Sequence, residues 1–274
     1  MPLIGMAGST VMMRPGLDAL RLASELGFAA FELFGEFPQC ICGEMTAAER
    51  REGRAVVEQS GLALAVHAPF TSLNLAALNP GIRAESARQT IEAIDLCADL
   101  GGKVVITHNG EYVVSERARE KAPEAARIQW ENNLASLRAC LARARERGIT
   151  LCLENIGFEL GHMDRNVDDL LRMAEEAGPE LAFCLDIGHA RLNHELPQAI
   201  AKMGPRVRHI HFTDNFGERD DHVVIGEGNF DYTPHLEFFR AFNGIITLEV
   251  INIGDDPTPA IKSREYVKKT LKIG

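Results

Sequence analysis

The chain has 274 residues, 46% of them hydrophobic and 25% charged, with a formal net charge of −10. That apolar share can fill a large core, and no unbroken apolar run is long enough to cross a membrane. The acidic balance argues against a broad nucleic-acid surface, and "MPLIGMAGSTVMMRPG" lacks the basic and apolar regions of a signal peptide, so a cytoplasmic protein is expected.

Short apolar runs alternate with helical patterns along the whole chain. The strand candidates are "LIGMA" (3–7), "AAFELF" (29–34), "LALAVH" (62–67), "KVVITH" (103–108), "ITLCLE" (149–154), "LAFCLD" (181–186), "VRHIHF" (207–212) and "IITLEV" (245–250). Between them run amphipathic stretches such as "GLDALRLASELG", "AAERREGRAVVEQSG" and "ESARQTIEAIDLCADLGG". Gly27, Gly61, Gly101, Gly148 and Gly178 each fall just past a helix and before a strand, where a left-handed residue is expected. Eight β-α units in this length predict an α/β fold, a (β/α)8 TIM barrel, with residues 1–274 forming one domain. A doubly wound sheet would want a glycine-rich phosphate loop after its first strand, and "GMAGST" (5–10) is only a faint imitation.

Cys97, Cys140, Cys152 and Cys184 lie in periodic apolar segments and read as core residues. Cys40 and Cys42 form a C-x-C, for which a redox or metal role stays open. "SERAREKAP" (115–123) reads as a solvated loop or helix start, with a phosphate site as the alternative for Arg117, Arg119 and Lys121.

The strand ends carry the chemistry. Strand three ends in His67, strand four in His108, strand five in Glu154 and strand six in Asp186, with His189 three residues on. Strand seven carries His211, its loop brings Asp220 and His222, and strand eight ends near Glu249. In a barrel these ends ring one mouth. Four carboxylates and five histidines would meet there. Carboxylates gathered out of water repel one another unless a cation lies between them, and mixed Asp/Glu/His sets suit Mn²⁺, Mg²⁺, Co²⁺ or Zn²⁺. His209 shares a strand face with His211 but lies deeper, which suits a supporting role, while His162, His194 and His235 read as surface residues.

The motifs "AVHAPF", "VVITHNG", "LCLENIGF", "FCLDIGHARL", "HIHFTDN", "DDHVVIGEGNFDY" and "ITLEV" span nearly the whole chain in order. Together they resemble the xylose isomerase-like TIM-barrel superfamily. That superfamily includes sugar phosphate isomerases and epimerases, ketose 3-epimerases, inosose dehydratase-type lyases and endonuclease IV. The isomerase and epimerase branch implies one divalent metal, Mn, Mg or Co, held by Glu154, Asp186, His211 and Glu249. The endonuclease IV branch implies two or three zinc ions on those residues together with His67, His108, His189, Asp220 and His222.

The expected activity is sugar or sugar-phosphate isomerisation or epimerisation through an enediolate, with Glu154 and Glu249 as acid and base. His189 and Arg219 would bind substrate hydroxyls or a phosphate. The alternative is a zinc-dependent hydrolase acting at abasic sites in DNA, and a third option is an inosose-type lyase. "LFGEFPQCICGE", acidic and without arginine, departs from the nuclease pattern after strand two, and few basic residues stand near the mouth to meet a phosphate backbone. The pattern is compatible with a homo-oligomer but does not demand one.

Overall fold

The computed structural model describes residues 1–113, 115–156 and 161–274. Eight strands close into one parallel barrel in sequential order: β1 (Leu3–Ala7), β2 (Ala30–Phe34), β3 (Ala63–His67), β4 (Val104–Thr107), β5 (Thr150–Glu154), β6 (Ala182–Asp186), β7 (Val207–Phe212) and β8 (Ile245–Leu248). All eight expected strands form. β4 stops one residue and β8 two residues earlier than their apolar runs suggest, which leaves His108 and Glu249 just past the strand ends.

Crossover helices pack outside, among them α1 (Gly16–Glu25), α2 (Ala47–Ser60), α3 (Pro80–Asp99), α4 (Glu116–Lys121), α5 (Pro123–Arg147), α6 (Val167–Ala177) and α7 (Ile187–Leu192). Their starts are capped by local chemistry. The Thr46 hydroxyl and the Glu49 carboxylate form a reciprocal capping box on α2, and Asn79 and Asn166 cap α3 and α6. α2 and α5 end in left-handed Gly61 and Gly148 (φ 67° and 65°), a conformation that a Cβ would strain. Gly178 departs from the expected pattern: its φ of 163° is extended, so α6 ends without a left-handed turn. The "SERAREKAP" stretch forms the short helix α4, and the Arg119 guanidinium lies over the Tyr112 ring at 4.4 Å.

Alternation sorts each strand between two cores. Leu64, Val66, Leu151, Leu153, Phe183 and Leu185 pack outward under the helices. Ala30, Ala65, Ile106, Cys152, Ala182, Cys184 and Ile245 fill the barrel interior. Small side chains there leave the next inward positions, toward the mouth, free for longer polar groups. The cysteines are all free thiols and all buried, including Cys40 and Cys42. No helix is long and apolar enough to cross a membrane among the described residues.

Candidate metal centre at the barrel mouth

Parallel pairing sets the ring. Asp186 on β6 pairs in register with His211 on β7, and Glu154 ends β5 beside them. Glu154 is the hub. Its Oε2 lies 3.2 Å from His67 Nε2 and 3.3 Å from His108 Nε2, and its Oε1 lies 3.0 Å from His211 Nδ1. Glu249 reaches the same nitrogen of His211 from the β8 side at 3.3 Å. The third arc comes from the loop after β7: Asp220 Oδ2 lies 2.8 Å from His222 Nε2 and 3.2 Å from His189 Nε2. All nine expected donors are therefore brought together. They fall into three sets whose ligand atoms lie within 4.8 Å of one another: His67–His108–Glu154, Glu154–Asp186–His211–Glu249 and His189–Asp220–His222.

Each of four histidines has one ring nitrogen pinned, which leaves the other for the ring of donors. His67 Nδ1 donates to the Ala68 carbonyl at 2.9 Å, His189 Nδ1 to the Asn155 carbonyl at 2.9 Å, and His222 Nδ1 to the Glu249 carbonyl at 3.1 Å. His211 is turned the other way: its Nε2 donates to Glu32 at 3.1 Å, so Nδ1 faces Glu154 and Glu249. Such pinning fixes the tautomer and orients the lone pair for a cation. His222 also sits at φ 46°, in the left-handed region.

The donors fit a divalent cation. Asp186 Oδ2, Asp220 Oδ1 and Glu249 Oε2 are buried and have no hydrogen-bond partner, a costly state for carboxylate oxygens that a metal would relieve. Asp186 uses its other oxygen to cap α7, accepting the His189 N–H at 2.8 Å.

Electrostatics agree with this. Burial pushes the Glu249 carboxyl up to about 7, helped by the neighbouring charges of Glu154 and Asp186 against the pull of His211 and His222. Burial would raise Glu154 too, but His211, His108 and His67 hold it well below the usual carboxylate range. Burial alone would lower His222, yet Glu249 and Asp220 push it up to about 9. Without a cation, the ring draws protons onto His67, His189, His211 and His222, while burial pushes His108 down to about 4.

Arg219 and His162 depart from their expected places, and Glu32 had none. Arg219 is not brought to the cavity: its side chain is 84% exposed, 3.6 Å from Asp221. His162 is buried rather than on the surface. Glu111 and His162 pair across a β-bridge, and the Tyr112 N–H donates to the Gly161 carbonyl, which folds this loop against the one after β4. Glu32 escaped the sequence reading altogether. It is a buried carboxylate on β2 beneath the ring, accepting from His211, from His209 Nε2 at 2.6 Å and from the Thr247 hydroxyl at 3.0 Å. Its signal was a lone charge inside the apolar run "AFELF", on the inward face shared with Ala30. His209 is buried under His211, as its strand position suggested, while His194 is exposed and His235 half-buried. Gly157 and Phe158, at the end of "LCLENIGF", lie outside the described residues.

Glu32→Gln is expected to weaken divalent-metal binding roughly 10- to 100-fold by loosening the hold on His211. Titration with Mn²⁺ or Zn²⁺ reads this directly, and unchanged affinity would make Glu32 a core residue only.

Asp214 braces the loop that delivers the third set. One oxygen accepts the N–H groups of Gly226 and Gly228 at 2.8 and 3.1 Å, and the other accepts that of Phe230 at 3.4 Å.

The mouth opens into a cavity of about 610 Å³. Its inner wall is formed by His67, His108, Glu154, His189, Asp220, His222 and Glu249, while Asp186 and His211 are fully buried beneath. Phe34, Phe37 and Phe70 line the outer part, with Phe70 stacked on His108 at 4.4 Å.

A closed eight-stranded barrel whose charged groups converge on the C-terminal mouth is the arrangement of barrel enzymes. The chain belongs to the xylose isomerase-like TIM-barrel family, whose sequence pattern matches residues 20–270. An uncharacterised protein of Methanocaldococcus jannaschii is 31% identical over 216 residues, 77% of this chain and 70% of its own length. A probable endonuclease 4 of Mycobacterium marinum is 27% identical over 247 residues, covering 86% of this chain and 90% of that one. The crystal structure of a D-tagatose 3-epimerase-like protein superimposes with a TM-score of 0.83 at 25% identity, over 98% of this chain and 97% of that one.

Proposed function

We propose that this protein is a divalent-metal-dependent isomerase or epimerase of small sugars. The observation that carries the reading is the pairing of Glu154 and Glu249. They come from opposite sides of His211, stand 3.0 and 3.3 Å from its Nδ1, and face one cavity. The likeness to an epimerase-like structure supports it.

Glu154, Asp186, His211 and Glu249 would hold one Mn²⁺, Mg²⁺ or Co²⁺. Bound there, the metal would stabilise negative charge on two adjacent substrate oxygens. The chain's own part is proton transfer. Glu154, kept ionised by its histidines, takes the proton from the carbon beside the carbonyl. Glu249, on the other side of His211, returns a proton to the other face or to the neighbouring carbon. His189 is within reach of a substrate hydroxyl at the cavity wall. Delivery to the other face inverts that carbon; delivery to the next carbon exchanges aldose and ketose.

A second reading has its own observation in its favour. The sets His67–His108–Glu154 and His189–Asp220–His222 flank the central four, as a site for two or three zinc ions and a hydrolase of the endonuclease type would need. No lysine or arginine lines the cavity among the described residues, which counts against tracking a phosphate backbone.

Elemental analysis of protein purified without chelator separates the two. About one Mn, Mg or Co per chain, with epimer formation on a ketose panel, is the expected result. Two or three zinc ions per chain, with cleavage of abasic-site duplex, would replace it with the hydrolase.

A further inference from the structure

The outer half of the cavity has a chemistry of its own. Its charged side chains are Glu36 and Glu111, and no lysine or arginine lines any part of it among the described residues. The residues outside the description, Val114 and 157–160, contain no lysine or arginine. One pair of backbone donors is taken as well. The N–H groups of Phe70 and Thr71, the kind of adjacent pair that cradles an anion, both donate to Glu36 Oε1 at 2.6 Å. A phosphate on the substrate would therefore meet two carboxylates and no free donor of this kind. The same clamp fixes the Phe70 ring, which stacks on His108 and meets Phe34 edge-on at 6.1 Å. From there the apolar surface continues outward to Ile251, 45% exposed, and Phe37, 78% exposed. The cavity volume of about 610 Å³ is that of a site for a drug-sized ligand, and a bare sugar would leave much of it empty.

We infer that this outer half is a subsite for an uncharged apolar group carried by the sugar, so that the substrate is an aryl- or alkyl-substituted ketose and not a sugar phosphate. The inference rests on the isomerase reading of the inner half. Phe37 and Phe70 determine the specificity: the substituent lies against their rings while the carbonyl end reaches the donor ring.

The test is equilibrium binding by calorimetry to the metal-loaded chain. The probes are D-fructose, its 1-O- and 6-O-phenyl ethers, and D-fructose 6-phosphate, all of which keep the carbonyl free. One phenyl ether is expected to bind roughly 10- to 100-fold tighter than fructose, the gain of burying one aromatic ring, and the phosphate more weakly than fructose. Phe37→Ala is expected to remove most of that gain. Phenyl ethers that bind no tighter than fructose, or a phosphate that binds tightest, overturn the inference and leave the isomerase reading standing. Failure of every sugar to bind a chain shown to be folded and metal-loaded overturns the isomerase reading, and this inference with it.

Discussion

Glu154→Gln is expected to lower turnover by about 10³-fold, within the range for removal of a general base, while the barrel stays folded. The amide has nearly the shape of the carboxylate, and its carbonyl oxygen can still accept from a histidine, so β5 keeps its end in place. What the amide lacks is the charge on which His67, His108 and His211 converge. Two readouts separate the causes. Deuterium exchange from solvent into the carbon beside the carbonyl reports proton abstraction, and metal content reports ligand loss. Exchange at the native rate in a metal-loaded Glu154→Gln protein would remove Glu154 from the chemistry. Glu249→Gln serves as the companion: it is expected to slow return of the proton more than its removal, so exchange should outlast epimer formation.

Metal removal is the second large effect. A cation that binds only the folded chain adds about 3–4 kcal/mol when present at a hundred to a thousand times its Kd. For a barrel of this size, chelation is then expected to lower Tm by about 5–15 °C. The gap should widen with pH. In the metal-free chain, His222 is pushed up to about 9. A histidine raised in this way contributes fully below its unfolded value of about 6.5, and its contribution is lost as pH climbs through the folded value. His189 and His211 are raised too: burial alone would lower them, but neighbouring carboxylates outweigh it. Glu249, pushed up to about 7, adds to the loss, because ionising it in place costs stability up to that pH. The metal-free chain should therefore melt at a lower temperature at pH 9 than at pH 6.5. In the loaded chain His211 is already neutral and Glu249 already ionised as ligands, so it should change less. Melting curves at the two pH values with and without chelator test this, and a gap that narrows toward pH 9 would contradict it.

Much of this was legible in the chain. The strands were readable because each is a short apolar run, several of them preceded by a helix stop, and the donors because each falls where such a run ends or in the segment just after it. Parity then indicated which neighbours share the interior, as with Cys152 below Glu154 and Cys184 below Asp186. What stayed hidden depends on contacts far apart in sequence. Glu32 meets His211 across 179 positions, and a charge within "AFELF" does not announce its partner. The pinning of His67, His189 and His222 is done by backbone carbonyls, whose directions no residue type encodes. His162 reads as surface until the loop after β5 is seen folded against the one after β4. Arg219 had the right chemistry two residues from Asp221, but the loop leaves its side chain in solvent.

The Asp214 brace has a consequence for how such a barrel diversifies. Because one carboxylate at the foot of the loop gathers the amides of Gly226, Gly228 and Phe230, the segment between behaves as an arch sprung from fixed abutments. Asp220 and His222 ride on that arch as a pair. The donors of strands five and six, Glu154 and Asp186, do not lean on it for their place in the sheet. The segment between the abutments is thus an exchangeable cassette. Lengthening or emptying it would change how many cations the mouth can hold, and so which chemistry one unchanged barrel performs.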